Sequence, residues 1–292
     1  MKAKRSVLWP ALALFCLTAL GAKASERGME AEPLPIEPSN LFSIPAGRVV
    51  RSMDLDLYGA GIFLGDKGSK PLGTGAVLGL GDIAEVEVGT MGLIDSFEGE
   101  SSLKSVTSGG LKVYIPMWKY WHGLAASFRR SGTHKARWGD ETYEQRVGNF
   151  SIVASLANYL TPREGAAPDG GWKGIKVKTH VGFKYVDPRL VSKDGSSGSF
   201  LRPFGGFEVW RKDTKARIMG ELDWAANFKS PEKVEDVWIA TGGVRFFFSK
   251  HVAADIGVRY QSNFVGLSES VIHSKLRFSL PTHLIRKRLV GR

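Results

Sequence analysis

The sequence predicts an all-β fold, an antiparallel up-and-down transmembrane β-barrel of about twelve strands, and three observations carry that prediction. Residues 48–280 run as short segments in which apolar and polar side chains alternate, each closed by a turn. The chain opens with an export leader. No stretch after that leader approaches the roughly 18 consecutive apolar residues of a membrane helix.

The alternation is clearest near the C-terminus. Ala254, Ile256, Val258 and Tyr260 share one face while Asp255, Gly257, Arg259 and Gln261 share the other. The next segment repeats the pattern, with Ile272, Leu276, Phe278 and Leu280 opposed to His273, Lys275, Arg277 and Ser279. A two-residue period is the mark of a strand. A soluble secreted β-sandwich or lipocalin-like barrel would bury the apolar face instead, but lipocalin-type barrels use about eight strands. The leader and the strand count favour the membrane, where a chain without apolar helices crosses only as a closed barrel.

Residues 1–24 have the layout of a signal peptide: Lys2, Lys4 and Arg5, an apolar run from Val7 to Leu20, then Ala22-Lys23-Ala24, with the mature chain starting near Ser25. Pro10 and the shortness of the run argue against a signal anchor, and Phe15 before Cys16 argues against lipoprotein processing. Cys16 is the single cysteine, so the mature chain holds no disulfide, thiolate nucleophile or Cys-based metal site. Residues 25–47, with Pro33, Pro35, Pro38 and Pro45, read as an extended periplasmic linker.

The barrel, residues 48–280, divides into strands at about 48–60, 72–80, 83–91, 110–116, 122–130, 143–159, 172–186, 199–211, 215–227, 236–248, 252–262 and 269–280. Bacterial barrels have short periplasmic turns and longer outer loops. The even connections fit: Gly81-Asp82, Met117 to Trp121, Lys212 to Thr214 and Ser249 to His251 are tight, and Thr161 to Gly171 is the exception. Gly92 to Gly109 is the longest odd connection and the candidate constriction. Trp172, Tyr185, Trp210, Trp224, Trp238 and Tyr260 fall near strand ends, where aromatic girdles sit. Glycines inside strands, among them Gly79, Gly206 and Gly243, fit closely approaching strands. Residues 281–292 form a basic tail.

The formal charge of +11 sits largely at the ends of the chain. Lys2, Lys4, Arg5 and Lys23 leave with the leader, and Arg286, Lys287, Arg288 and Arg292 crowd the tail. The body is close to neutral, so no nucleic-acid partner is expected.

The leader, hairpins such as Ala76-Val77-Leu78-Gly79-Leu80-Gly81-Asp82-Ile83-Ala84-Glu85-Val86-Glu87-Val88, and a final amphipathic strand together resemble the outer-membrane β-barrel proteins of Gram-negative bacteria. The resemblance is architectural and covers nearly all the mature chain. It implies an outer-membrane location, membrane lipids as surroundings and the barrel-assembly machinery as a partner during biogenesis. In that class the last strand usually ends the chain with an aromatic residue, whereas here about a dozen residues follow Leu280. Twelve-stranded members include narrow channels and a phospholipase with a His-x-Ser pair. Each histidine of this chain lacks a serine two positions on, so no catalytic residue is assigned and no enzyme is expected. No metal-ligand spacing occurs and no cofactor is expected.

The face turned away from lipid supplies the candidate lumen. Its acids are Asp54, Asp56, Glu85, Glu87, Glu208, Glu221, Asp223 and Asp255. Its bases are Lys112, Arg129, Lys176, Lys178, Lys184, Arg202, Arg217, Arg245, Arg259, Lys275 and Arg277, with His180 and His273 beside them. Closure would let Lys275 and Arg277 pair with Asp54 and Asp56 across the seam, and Lys112 approach Glu85 or Glu87. Lys176, Lys178, His180 and Lys184 form a basic stripe facing acids on another wall, a transverse field for passing solutes. The leading expectation is a narrow channel for passive diffusion of small polar or charged solutes. The alternative is a closed structural or envelope-assembly barrel whose interior is zipped by these charges.

Overall fold

The computed structural model describes residues 37–63, 69–97, 102–115, 123–160, 175–191, 198–211 and 214–282. The signal peptide, the first part of the linker and nearly all of the basic tail lie outside them. Thirteen strands follow one another: β1 Asp54–Phe63, β2 Ser69–Leu80, β3 Ala84–Asp95, β4 Ser102–Ile115, β5 Gly123–Ser131, β6 His134–Trp138, β7 Glu141–Leu160, β8 Ile175–Val191, β9 Phe200–Arg211, β10 Ala216–Ser230, β11 Lys233–Phe247, β12 Val252–Gln261 and β13 Val271–Pro281. Each pairs antiparallel with its neighbour around the wall, and β1 against β13 closes the ring. β5 and β6 share one side of β7, Gly123–Arg130 against Gly148–Ser155 and His134–Trp138 against Glu141–Gln145, so together they make one broken strand of a twelve-position barrel.

Turn chemistry explains the tight β2–β3 hairpin. Gly81 and Asp82 both take positive φ, 62° and 58°, the pair of left-handed positions that matches strand twist. Two boundaries differ from the sequence reading. The first strand begins at Asp54, because residues 48–50 belong to a different structure. Gly92 to Gly109 is mostly strand, since β3 runs on to Asp95 and β4 begins at Ser102.

The burial pattern is inside-out relative to a soluble protein. Arg245 and Asp255 are 0% exposed, whereas Phe183 is 60% and Ile256 53% exposed. Val88, Leu201, Ile218, Val258 and Ile272 extend the exposed apolar band over the outer wall. A continuous apolar surface of this kind around a charged interior is stable only in hydrocarbon, which removes the soluble sandwich as an alternative. Phe183 lies midway along β8, so Phe183→Arg is expected to cost about 2–4 kcal/mol in urea unfolding from lipid vesicles. A loss below about 0.5 kcal/mol, the usual range for a water-facing site, would reject a lipid-facing position.

Two interior elements depart from an open barrel. At the end opposite the start of β1, β3 and β10 touch across the lumen, although five strands separate them in either direction around the wall. Ile94 and Asp95 pair parallel with Asn227 and Phe228, and Ser96 N donates to Phe228 O at 2.9 Å. Phe97, Tyr143, Val186, Leu190 and Phe228 then pack into an apolar cluster inside this end. Phe97 meets Tyr143 edge-on at 5.9 Å. Of the Gly92 to Gly109 stretch, Leu93, Phe97 and Val106 join this cluster and Ser96 joins the bridge. The second element is the segment from Glu37 to Val50.

Candidate functional site

Glu37 to Gly47 belongs to the stretch that reads as a periplasmic linker and Arg48 to Val50 to the expected first strand, and for these described residues the structure corrects both readings. The segment folds into the lumen at the end where β1 begins and β13 finishes. Asn40 bridges to Pro45, Leu41 N donates to Ile44 O at 3.0 Å and Ala46 N to Ser39 O at 2.9 Å, making a compact loop. Leu41, Phe42, Ile44, Ala46 and Val50 are buried against the inner wall. Room for them comes from glycines of the strands. A Cβ on Gly206 would stand 2.8 Å from both Ile44 Cδ1 and Leu41 Cδ2, and one on Gly123 would collide with the Gly47 carbonyl. The reason for the fold is local: Pro38 and Pro45 leave the segment few ladder partners of its own, and the apolar trio Leu41, Phe42 and Ile44 needs cover.

The inward charges hold this plug by its backbone. Cations take its carbonyls: Lys112 Nζ reaches Ser39 O at 2.7 Å, Arg277 reaches Asn40 O at 3.0 Å and Leu41 O at 2.7 Å, and Lys275 reaches Phe42 O at 3.0 Å. Acids take its amides. Ser43 N donates to both Glu221 oxygens at 3.0 Å, its hydroxyl to Oε1 at 2.5 Å, and Val50 N to Glu85 at 2.7 Å. Every buried peptide group needs a partner, and an irregular loop inside a barrel has no ladder to supply one. Charged side chains of both signs meet that demand.

Glu208 is the hub of the wall facing the plug. Arg48 of the plug lies 3.1 Å from it, Arg217 2.7 Å and His180 3.2 Å, and both Arg217 and Glu208 are fully enclosed. Arg217 stacks on Trp210 at 4.5 Å, so this tryptophan faces inward rather than toward the headgroups. Glu37 completes the group at 3.1 Å from Arg48, whose guanidinium holds the Glu37 carboxyl down to about 2 and so ionised.

His180 also receives Ser155. Gly47 N donates to Ser155 Oγ at 2.8 Å, which leaves the hydroxyl proton for His180 Nδ1 at 2.6 Å and the Nε2–H for Glu208. A serine, histidine and carboxylate in series is also how hydrolytic triads are built. Here Gly47 covers Ser155 and two arginines occupy Glu208, so the chain of hydrogen bonds ties plug to wall. No sequence pattern announces it, because the three residues lie on β7, β8 and β9 and meet only through strand register.

Between plug and apolar seal lies a chamber of about 190 Å³. Lys112 pairs with Glu85 at 2.8 Å, Arg129 with Glu87 at 3.2 Å and Lys184 with Asp223 at 2.5 Å on its walls. Tyr58 hydrogen-bonds Glu87, and Arg259 also faces the space.

Most of the lumen set is where alternation places it. Asp56, Glu85, Glu208, Glu221, Asp223, Asp255, Lys112, Lys178, His180, Lys184, Arg217, Arg245, Arg259, Lys275 and Arg277 are buried inside, and Asp54, Glu87, Arg129 and Lys176 are half-buried. Arg202 departs: its side chain is 39% exposed, paired to Asp236 at 2.6 Å and set over the Phe200 and Trp224 rings. The Lys112–Glu85 pair forms, but Lys275 and Arg277 turn to plug carbonyls instead of Asp54 and Asp56. The basic stripe makes no transverse field, since Lys178, His180 and Lys184 are matched locally by Glu37, Glu208 and Asp223. The residues missed by sequence are those of the plug, whose one signal is the apolar trio amid prolines. Among the described residues no group of side chains is arranged to hold a metal ion.

No family model and no curated protein matches the sequence. Solved structures with a similar trace include the outer membrane protein Omp33 of Acinetobacter baumannii, at 10% identity and a TM-score of 0.40, covering 79% of this chain and 100% of that one. The translocator domain of the autotransporter NalP from Neisseria meningitidis matches at 14% identity over 77% of this chain and 85% of its own, with a TM-score of 0.37. The monoaromatic hydrocarbon channel CymD matches at 11% identity, 87% and 92% coverage and a TM-score of 0.36. At these values the likeness is one of architecture, the outer-membrane β-barrel.

Proposed function

We propose that the protein is a closed barrel of the Gram-negative outer membrane, non-conducting as folded, in which residues 37–50 are a built-in plug. The observation that carries this reading is the match of the inward charges to the plug's own peptide groups, cations on carbonyls and carboxylates on amides. Charges so used are withdrawn from a solute path. The apolar cluster with its β3–β10 bridge is a second seal in series. Export by residues 1–24, insertion by the barrel-assembly machinery, a lipid surround and a structural, non-catalytic role in the envelope complete the proposal.

A second reading, a narrow channel for small polar solutes that opens on demand, is favoured by one feature, the charged chamber between the two seals. Single-channel recording separates them. Mature protein, Ser25 to Arg292, refolded and added to a planar bilayer, is expected to insert without stable current. Removal of residues 25–50 alone is expected to stay silent, because the far seal remains. Stable steps from the intact mature chain would overturn the closed reading in favour of the channel.

A further inference from the structure

The β12–β13 wall of the chamber carries hydrogen-bond donors that, among the described residues, no carboxylate engages. Arg259, His273 and Lys275 all face the chamber and are all buried. In the ladder Arg259 stands opposite Val271, and Lys275 opposite Asp255. His273 is thus the diagonal neighbour of Arg259 on the same face, with Lys275 two residues further along. The chamber's other cations, Lys112, Arg129 and Lys184, each have a carboxylate in contact. Among the described residues Arg259 and Lys275 have none within salt-bridge distance.

The acids whose field reaches Arg259 are Glu221 and Asp223. Both are engaged elsewhere, Glu221 by Ser43 and Asp223 by Lys184 at 2.5 Å. Arg259 Nε has no hydrogen-bond partner, and neither ring nitrogen of His273 has one. Buried polar groups are nearly always paired, and an enclosed guanidinium without a partner is costly. The wall is otherwise rigid. Phe42 of the plug packs on the His273 ring at 5.2 Å, and Lys275 lies 4.8 Å over the Tyr58 ring while donating to Phe42 O.

We infer that Arg259, His273 and Lys275 form a binding site for one small oxyanion, a carboxylate or phosphate, enclosed between plug and apolar seal. A guanidinium with an ammonium and a ring N–H beside it is suited to a planar or tetrahedral oxyanion, whose several acceptors meet several donors. The cavity of about 190 Å³ limits the ligand to a small molecule, below the range of about 300–1,000 Å³ for drug-sized ligands. Met91 and Ile239 on the other walls leave space for a short apolar body. The inference goes beyond the closed-barrel reading, since an enclosed anion is compatible with either a silent or a gated lumen.

The test is binding by the whole mature chain, refolded in detergent with chloride and either radiolabelled inorganic phosphate or radiolabelled acetate, so that the ligand has access before the lumen closes. Equilibrium dialysis is expected to show saturable retention near one anion per barrel for at least one of the two, and the preferred one gives the oxyanion class. Arg259→Gln is expected to weaken retention about tenfold or more, with Arg259→Lys intermediate. Absence of saturable retention of both anions by the folded wild-type barrel overturns the site. So does retention unchanged in a folded Arg259→Gln barrel. If Arg259→Gln does not fold, Lys275→Met gives the same comparison, and the wild-type stoichiometry decides by itself. The conductance of the mature chain is a separate readout, so failure here leaves the closed-barrel reading standing.

Discussion

Glu208→Gln is expected to release the plug and to destabilise the barrel by about 3–5 kcal/mol, the cost of leaving buried cations without their counter-charge. Glutamine keeps the shape of the side chain but not its charge, while Arg48 at 3.1 Å, Arg217 at 2.7 Å and Arg245 at 4.0 Å stay in place. His180 keeps an oxygen acceptor but loses its charge, which weakens the link through it to Ser155 and Gly47. Arg48 is the plug's own contribution to this group, so its release should expose the peptide bond after it. The measurement is trypsin digestion of the refolded barrel followed by mass spectrometry. Wild type is expected to resist cleavage after Arg48, and Glu208→Gln to be cut there while the barrel band remains intact. Equal resistance in the two would show that apolar packing of Leu41, Phe42 and Ile44 holds the plug without the ionic hub.

Asp255→Asn is the second substitution with a large expected effect, again about 3–5 kcal/mol in urea unfolding from vesicles. Arg245 contacts Asp255 through two nitrogens, at 2.6 and 2.9 Å, and neither residue touches solvent. Arg277 lies 3.6 Å from the same carboxylate. Both arginines also hold carbonyls of Asn40 and Leu41, so the loss reaches the plug. Adding Arg245→Met to Asp255→Asn removes the stranded charge and should recover part of the stability, with a coupling of about 0.5–3 kcal/mol between the two sites. Strict additivity would mean that the pair is not a unit. A double variant less stable than either single would mean that the carbonyl contacts of Arg245 dominate.

Much of this architecture is legible in the sequence because its cause is local. In β12 and β13 the alternation assigns Asp255, Arg259, His273, Lys275 and Arg277 to the interior and Ile256, Val258 and Ile272 to the outside, and each lies where the period puts it. The Gly81-Asp82 turn is read from two residue types that accept positive φ. Arg202 fails the same rule: close to the strand end, an ion pair with Asp236 of β11, two strands away, outweighs the period. Trp210 looks like a girdle residue by position, yet the guanidinium of Arg217 recruits it to the interior. The break between β5 and β6 leaves no clear mark in the pattern, since both halves keep the same neighbour.

By itself, then, the sequence determined the strand class, the number of wall positions, the side most strand residues face and the charge of the interior, all set by a two-residue period and by turns a few residues long. The tertiary structure alone decided what the interior charges touch. Arg277 meets the Leu41 carbonyl across 236 positions of chain, and Ile44 meets Glu221 across 177. Those partners are backbone groups, which every residue carries alike, so no side-chain pattern singles them out. Only closure of the wall brings them within hydrogen-bond reach.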